Sequence, residues 1–262
     1  MTLNILYKTI VLLGLLALLN ACGTGDEIGD SFDPAFYNYE MVHVESTYQG
    51  CAAGNDNCTY MTFDYPKFKN SDNSEVLKKI GRKIKRLMLY ASEAESPESV
   101  CKNFIEDYKN FVDDPETENY GTAWFDKRKV SWLSIEKKVL SVECRLSSFM
   151  GGAHSNSFVM LRNFNPYTGD SLGLGMVFVP ESLYELTRIG ELQFQKSQKL
   201  KKGDSYEEAG YWFKDNQFYL TGNFAFTKEG LLFYYNEYEI APYSMGAIYF
   251  VVPYSLIMHL FE

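Results

Sequence analysis

Residues 140–147 read LSVECRLS, and apolar and polar side chains alternate through them without a break. Leu140, Val142, Cys144 and Leu146 fall on one side, and Ser141, Glu143, Arg145 and Ser147 on the other. Side chains two apart share a face of a pleated strand, so this segment is a strand with one buried face. Such a strand demands a covering layer, and the sequence upstream offers one. In SDNSEVLKKIGRKIKRLMLYAS, Leu77, Ile80, Ile84, Leu87 and Met88 recur at helical spacing, with Ser74 or Asn73 as the cap. The opposite side carries Lys78, Lys79, Arg82, Lys83, Lys85 and Arg86, which reads as a solvated basic face. Ser96-Pro97-Glu98 opens a second helix, whose apolar face holds Val100, Cys101, Phe104, Ile105, Tyr108, Phe111 and Val112.

Other segments carry the strand signal. Residues 36–48 and 59–68 are rich in aromatic and β-branched residues, as are 157–164, 218–226, 231–238 and 249–252. The stretch TKEG joins two of these as a hairpin, NPYTGD at 165–170 is a turn, and 180–200 has helical periodicity. Helices and strands follow in mixed order with no regular strand–helix–strand beat. The expected class is α+β, with largely antiparallel sheets packed against helices.

The ends speak to location. Residues 1–21 place Lys8 before an apolar run from Ile10 to Leu19, too short to cross a bilayer and suited to a signal-peptide core. The run ends in Leu19-Asn20-Ala21-Cys22, which resembles the lipobox of bacterial lipoproteins, so Cys22 is the expected lipidation site. Residues 22–34 then form a Gly-rich, acidic tether. Removing residues 1–21 takes away Lys8 and no acid, moving the formal charge from −9 to −10. An acidic chain of this kind is a poor partner for nucleic acid. The expected place is the cell envelope, lipid-anchored outside the cytoplasm and facing the periplasm or the outer membrane.

Cysteines 51, 58, 101 and 144 remain, an even number that in an exported protein predicts two disulfides. Cys51 and Cys58 flank AAGNDN, a loop able to close on itself, and Cys101 and Cys144 both point inward. The expected bonds are therefore 51–58 and 101–144.

Chemical motifs are sparse. His43, His154 and His259 form no ligand pair, no nucleophile elbow or phosphate loop is present, and no metal or cofactor is expected. Glu237 and Glu239 alternate along one expected strand and would share a face, the best-placed carboxylate pair for a glycan-active enzyme. In MGGAHSNSF, residues 150–158, Gly151 and Gly152 shape a turn carrying His154 and Asn156. In YEIAPYSMG, residues 238–246, Pro242 and Gly246 make a bend that presents Tyr238, Tyr243 and Ser244. These residues with Glu239 are the candidate ligand contacts, since aromatic platforms suit sugars and protein partners alike.

GGAH at 151–154, NFNPYTGDSL at 163–172, EGLLFYYNEYEIAPYSMG at 229–246 and VPYSLI at 252–257 occur in a set order. Together they resemble a paired-module family of bacterial envelope proteins. The first module takes its name from PdaC-type peptidoglycan deacetylases, where it accompanies the catalytic domain; FDYPKF and the helix after it match that part. The second resembles the domain of unknown function outside the membrane in RsiV-type anti-sigma factors, which bind lysozyme. The resemblance implies a first module over residues 35–160 and a second over 161–262, intimately joined. An anti-sigma factor needs a transmembrane helix and a cytoplasmic segment, and a deacetylase needs a separate metal-dependent domain; neither is expected here. The resemblance implies the extracytoplasmic pair alone, a non-enzymatic module that binds or senses an envelope protein of the lysozyme kind, or a peptidoglycan-type glycan.

Overall fold

The computed structural model describes residues 34–90, 92–117, 122–136 and 138–261. The expected signal segment, the expected lipidation site Cys22 and nearly all of the expected tether lie outside the described residues. Within Pro34–Glu262 the chain forms one compact unit.

The first sheet contains β1 (Tyr39–Thr47), β2 (Tyr60–Phe68), β3 (Phe125–Ile135), β4 (Leu140–Phe149) and β5 (Asn156–Phe164), in that spatial order. Every neighbouring pair is antiparallel except β2 and β3. A parallel pair needs a long crossover, and α1 (Glu75–Met88) and α2 (Pro97–Asp113) lie on it. Both helices start as their caps dictate: Ser74 Oγ accepts from Leu77 N at 3.3 Å, and Ser96 Oγ from Ser99 N at 3.2 Å. Alternation sets the faces. Met61, Phe63, Val130, Val142, Cys144 and Met160 are buried beneath Leu77, Ile80, Ile84 and Met88 of α1 and Val100, Cys101, Phe104 and Tyr108 of α2. The basic face of α1 is put to structural use: Lys79 pairs with Asp170 at 2.7 Å and Lys83 donates to Ser171 at 3.0 Å.

The loop disulfide Cys51–Cys58 is present. The second expected bond is not: Cys101 and Cys144 are buried free thiols. Cys101 sits on α2, which covers β1 and β2, and its Sγ approaches the Met61 carbonyl on β2. Cys144 pairs in register with Val130 and Met160 on β4, two strands from β2. Two strand spacings amount to roughly 10 Å, beyond the ~7 Å between Cα atoms that a disulfide spans. Both cysteines point into the core, but towards different parts of it.

After the short helix α3 (Leu174–Val177) and the long α4 (Pro180–Ser197) comes a second antiparallel sheet of β6 (Phe224–Phe226), β7 (Gly230–Tyr235) and β8 (Ile248–Pro253). The strand expected over 218–226 is thus only its last three residues, and the one over 231–238 stops at Tyr235. Phe224, Phe226, Leu231, Phe233, Tyr235, Phe250 and Val252 pack with Leu186 and Phe194 of α4. The residues between them, Ala225, Leu232 and Tyr234, turn the other way and meet Leu133, Val159 and Leu161 of the first sheet. The two modules therefore share a core at β5.

Candidate functional site

β5 is the outer strand of the first sheet, and its free edge would be a template for unwanted pairing. Two asparagines from the second module close it. Asn223 Oδ1 accepts from Leu161 N at 2.7 Å, while its Nδ2 donates to Val159 O at 2.9 Å and Tyr234 O at 3.0 Å. Asn236 Oδ1 accepts from Val159 N at 2.7 Å, and its Nδ2 donates to Val159 O at 3.1 Å. A primary amide carries one acceptor and two donors, so each side chain imitates a stretch of neighbouring strand. Farther along, Asn163 Nδ2 donates to Phe224 O at 2.9 Å, and Ser141 Oγ donates to Asn163 Oδ1 at 2.7 Å. The seam is thus apolar on one side and amide-bonded at the edge.

Two exposed features flank this seam. The first is a ledge of three aromatic rings. His154, from the turn before β5, stacks on Tyr243 with centroids 3.8 Å apart and planes 15° from parallel. Tyr238 lies against Tyr243 at 5.7 Å and 29°. Tyr243 Oη donates to Ser155 O at 3.2 Å, and the imidazole Nδ1 is 3.1 Å from the same carbonyl, so one atom ties both loops. Gly151 and Gly152 hold φ values of 91° and 104°, open to glycine and closed to bulkier residues, which lets the turn swing His154 across the seam. Tyr238 itself sits at φ 64°, a left-handed conformation costing about 1 kcal/mol in a residue with a Cβ. Glu239 holds it there: Oε2 accepts from Asn236 N at 2.8 Å and Oε1 from Thr221 Oγ1 at 3.2 Å. A strained aromatic that is still 55% exposed contributes little to the core. Trp212 N donates to Ile240 O at 2.8 Å, placing a further exposed aromatic beside the same turn.

The second feature is a groove of about 500 Å³ along the β5 edge, lined among others by Tyr90, Phe158, Arg162, Gly173, Gly222 and Glu239. The same turn, residues 236–239, supplies Tyr238 to the ledge and Asn236 and Glu239 to the groove.

His154, Tyr238 and Tyr243 are therefore brought together from segments more than eighty residues apart in the chain. Asn156 opens β5 opposite Ser148, and Ser244 lies exposed beside Tyr243. Glu239 behaves differently from a free contact residue, because both carboxylate oxygens brace the turn. The carboxylate pair expected of Glu237 and Glu239 does not form either. β7 ends before them, so strand alternation does not apply and the two do not share a strand face. The other histidines are engaged elsewhere: His43 Nδ1 lies 2.8 Å from Asp64, and His259 Nε2 lies 3.2 Å from Glu185. Among the described residues, no group of three His, Cys, Asp or Glu is placed to hold a metal.

Sequence reasoning missed Asn223, Asn236, Arg162 and the Tyr90–Phe158 pair. A signal existed for the amides. Asparagine is depleted in strands, yet Asn163, Asn223 and Asn236 stand in or beside the aromatic runs FVMLRNF, NFAF and LLFYYN.

Residues 52–157 match the family model described as deacetylase PdaC, and residues 176–255 match the one described as a protein of unknown function, DUF3298. The chain has a two-module architecture. A DUF3298 family member from Bacteroides fragilis NCTC 9343 superposes with a TM-score of 0.66 at 20% identity, over 86% of this chain and 93% of that one. A DUF3298 family protein from Pseudomonas aeruginosa PAO1 gives 0.63 at 18% identity, over 89% and 97%. At such identities the likeness concerns the α+β fold alone. No curated protein matches the chain.

Proposed function

We propose that this chain is an exported, lipid-anchored binding module of the bacterial cell envelope, which holds a partner at the seam and does not transform it. One observation carries the reading: loops from both modules converge on an exposed ledge of stacked rings, at the expense of backbone strain at Tyr238. The lipobox at Cys22 and the resemblance to the extracytoplasmic region of RsiV-type anti-sigma factors support the location. An exposed ring face favours a sugar, since a pyranose presents a flat array of C–H bonds to the π surface, and a glycan strand of the wall is the leading ligand.

Co-sedimentation with purified peptidoglycan tests this, with lysozyme on a sensor surface run in parallel as the protein alternative. Tyr238→Gly relieves the strained backbone and removes the ring, so the variant folds at least as well as the parent. Losing a stacked contact worth roughly 1.5 kcal/mol weakens binding about tenfold. Retention of neither ligand by the parent, or equal retention by Tyr238→Gly, would overturn the proposal. Cys22→Ser is expected to move the protein from the membrane to the soluble fraction.

A further inference from the structure

The groove beside the ledge contains Arg162, a cation with no ion-pair partner among the described residues. Strands β3, β4 and β5 of the first sheet each carry an arginine, and two of the three grip a carboxylate: Arg128 holds Asp126 at 2.9 Å and Arg145 holds Glu143 at 3.1 Å. Arg162 on β5 does not. Its Nη1 donates to the carbonyl of Leu161 at 2.7 Å, which pins the guanidinium over the strand edge. A guanidinium has five N–H donors, so most remain to be used. Among the described residues no carboxylate stands within 4.0 Å of it. Glu239, the acid on the groove wall, is engaged by Asn236 N and Thr221. In a chain of formal charge −9, an unpaired arginine in a groove is an invitation to an external anion.

The rest of the groove defines what accompanies that anion. At one end Tyr90 and Phe158 stack at 5.6 Å and 19°, and both remain more than a third exposed. Arg128 fixes this end by donating to the carbonyls of Met88, the last residue of α1, at 2.7 Å and of Tyr90, just past it, at 3.1 Å. On the rim Gly173 and Gly222 have open space where a Cβ would stand, leaving main chain accessible. The lining follows β5 from Phe158 to Asn163, a run of roughly 17 Å at ~3.3 Å per residue, which suits an extended chain of a few residues.

We infer that this groove captures the C-terminal end of an extended peptide, with the terminal carboxylate on Arg162 and an apolar side chain on the Tyr90–Phe158 pair. The inference goes beyond the ledge and does not rest on it. Isothermal titration of the full-length chain in detergent with N-acetyl-Ala-Ala-Leu, as free acid and as C-terminal amide, tests it. The acid binds at least tenfold more tightly than the amide, and Arg162→Gln abolishes that difference, with an unchanged circular-dichroism melt showing that the variant folds. Tyr243→Ala, which strips the ledge, leaves peptide binding unaltered, so failure here and failure of the glycan reading are separable. Equal affinity for acid and amide, no binding of either, or an Arg162→Gln variant that still discriminates would overturn the inference. Glucuronate binding in place of the peptide would also overturn it, by assigning the arginine to a sugar acid.

Discussion

Asn223→Ala removes the amide that completes the edge of β5, and its cost follows from three hydrogen bonds. Leu161 N loses its acceptor inside a residue that is 1% exposed, and an orphaned buried donor costs about 1–3 kcal/mol. Val159 O retains Asn236 Nδ2, and Tyr234 O loses a donor, so these two add about 1 kcal/mol together. Water from the adjoining groove recovers part of the first term. The sum is about 3 kcal/mol, a large share of the ~5–15 kcal/mol by which domains are stable. In guanidinium chloride, with a slope of about 5 kcal/mol/M, the midpoint falls by roughly 0.6 M. Tryptophan fluorescence is a suitable probe because Trp124 and Trp132 belong to the first module and Trp212 to the second. Asn223→Asp sharpens the test: it keeps the acceptor for Leu161 N but turns a second oxygen onto the carbonyls of Val159 and Tyr234. It should therefore destabilise at least as much as alanine despite its matching shape. A loss under about 0.5 kcal/mol for alanine, or a neutral aspartate, would refute the account of the amide as a surrogate strand.

Burial pushes the thiols of Cys101 and Cys144 up to about 12, so iodoacetamide at pH 8 should leave both unlabelled in the native protein and label both after unfolding without reductant. A mapped 101–144 bond would contradict the structure. His43 titrates above its ordinary 6.5, chiefly through its hydrogen bond to Asp64 and then through Glu45. Its contribution to stability is complete below 6.5 and fades as pH rises through the elevated value; with 54% of the side chain exposed it amounts to tenths of a kcal/mol. Proton NMR should show the shift and its reduction in Asp64→Asn, and a His43 titrating at or below 6.5 would exclude the ion pair.

Much of the fold was legible because one-dimensional periodicity reports one-sided burial. The alternation at 140–147 placed β4, the spacing of Leu77, Ile80 and Ile84 placed α1, and the caps at Ser74 and Ser96 placed two helix starts. Periodicity does not say which helix covers which strand. Cys101 and Cys144 were both read correctly as inward, and their pairing failed because the parallel β2–β3 step inserts β3 between their surroundings. The aromatic run at 218–226 failed for a related reason. Phe218 and Leu220 pack against the α4 core from a loop, so their apolarity reflects burial without a ladder.

The site was harder to read because its parts are joined only across the seam. GGAHSN and YEIAPYSMG each look like a turn, and neither contains a hint that Tyr243 would stack on His154. The physical clue lay in misfits, residues that local rules disfavour. Asparagines in or beside aromatic strands, a tyrosine at positive φ and an arginine on an edge strand with no acid within 4.0 Å among the described residues are each unfavourable alone. The first kind is answered inside the molecule, where Asn223 and Asn236 cap β5. Tyr238 is held in place by Glu239 yet stays more than half exposed, and Arg162 spends one donor on Leu161 O with no acid within 4.0 Å among the described residues. In the proposals made above for ledge and groove, a bound partner supplies the return for those two costs.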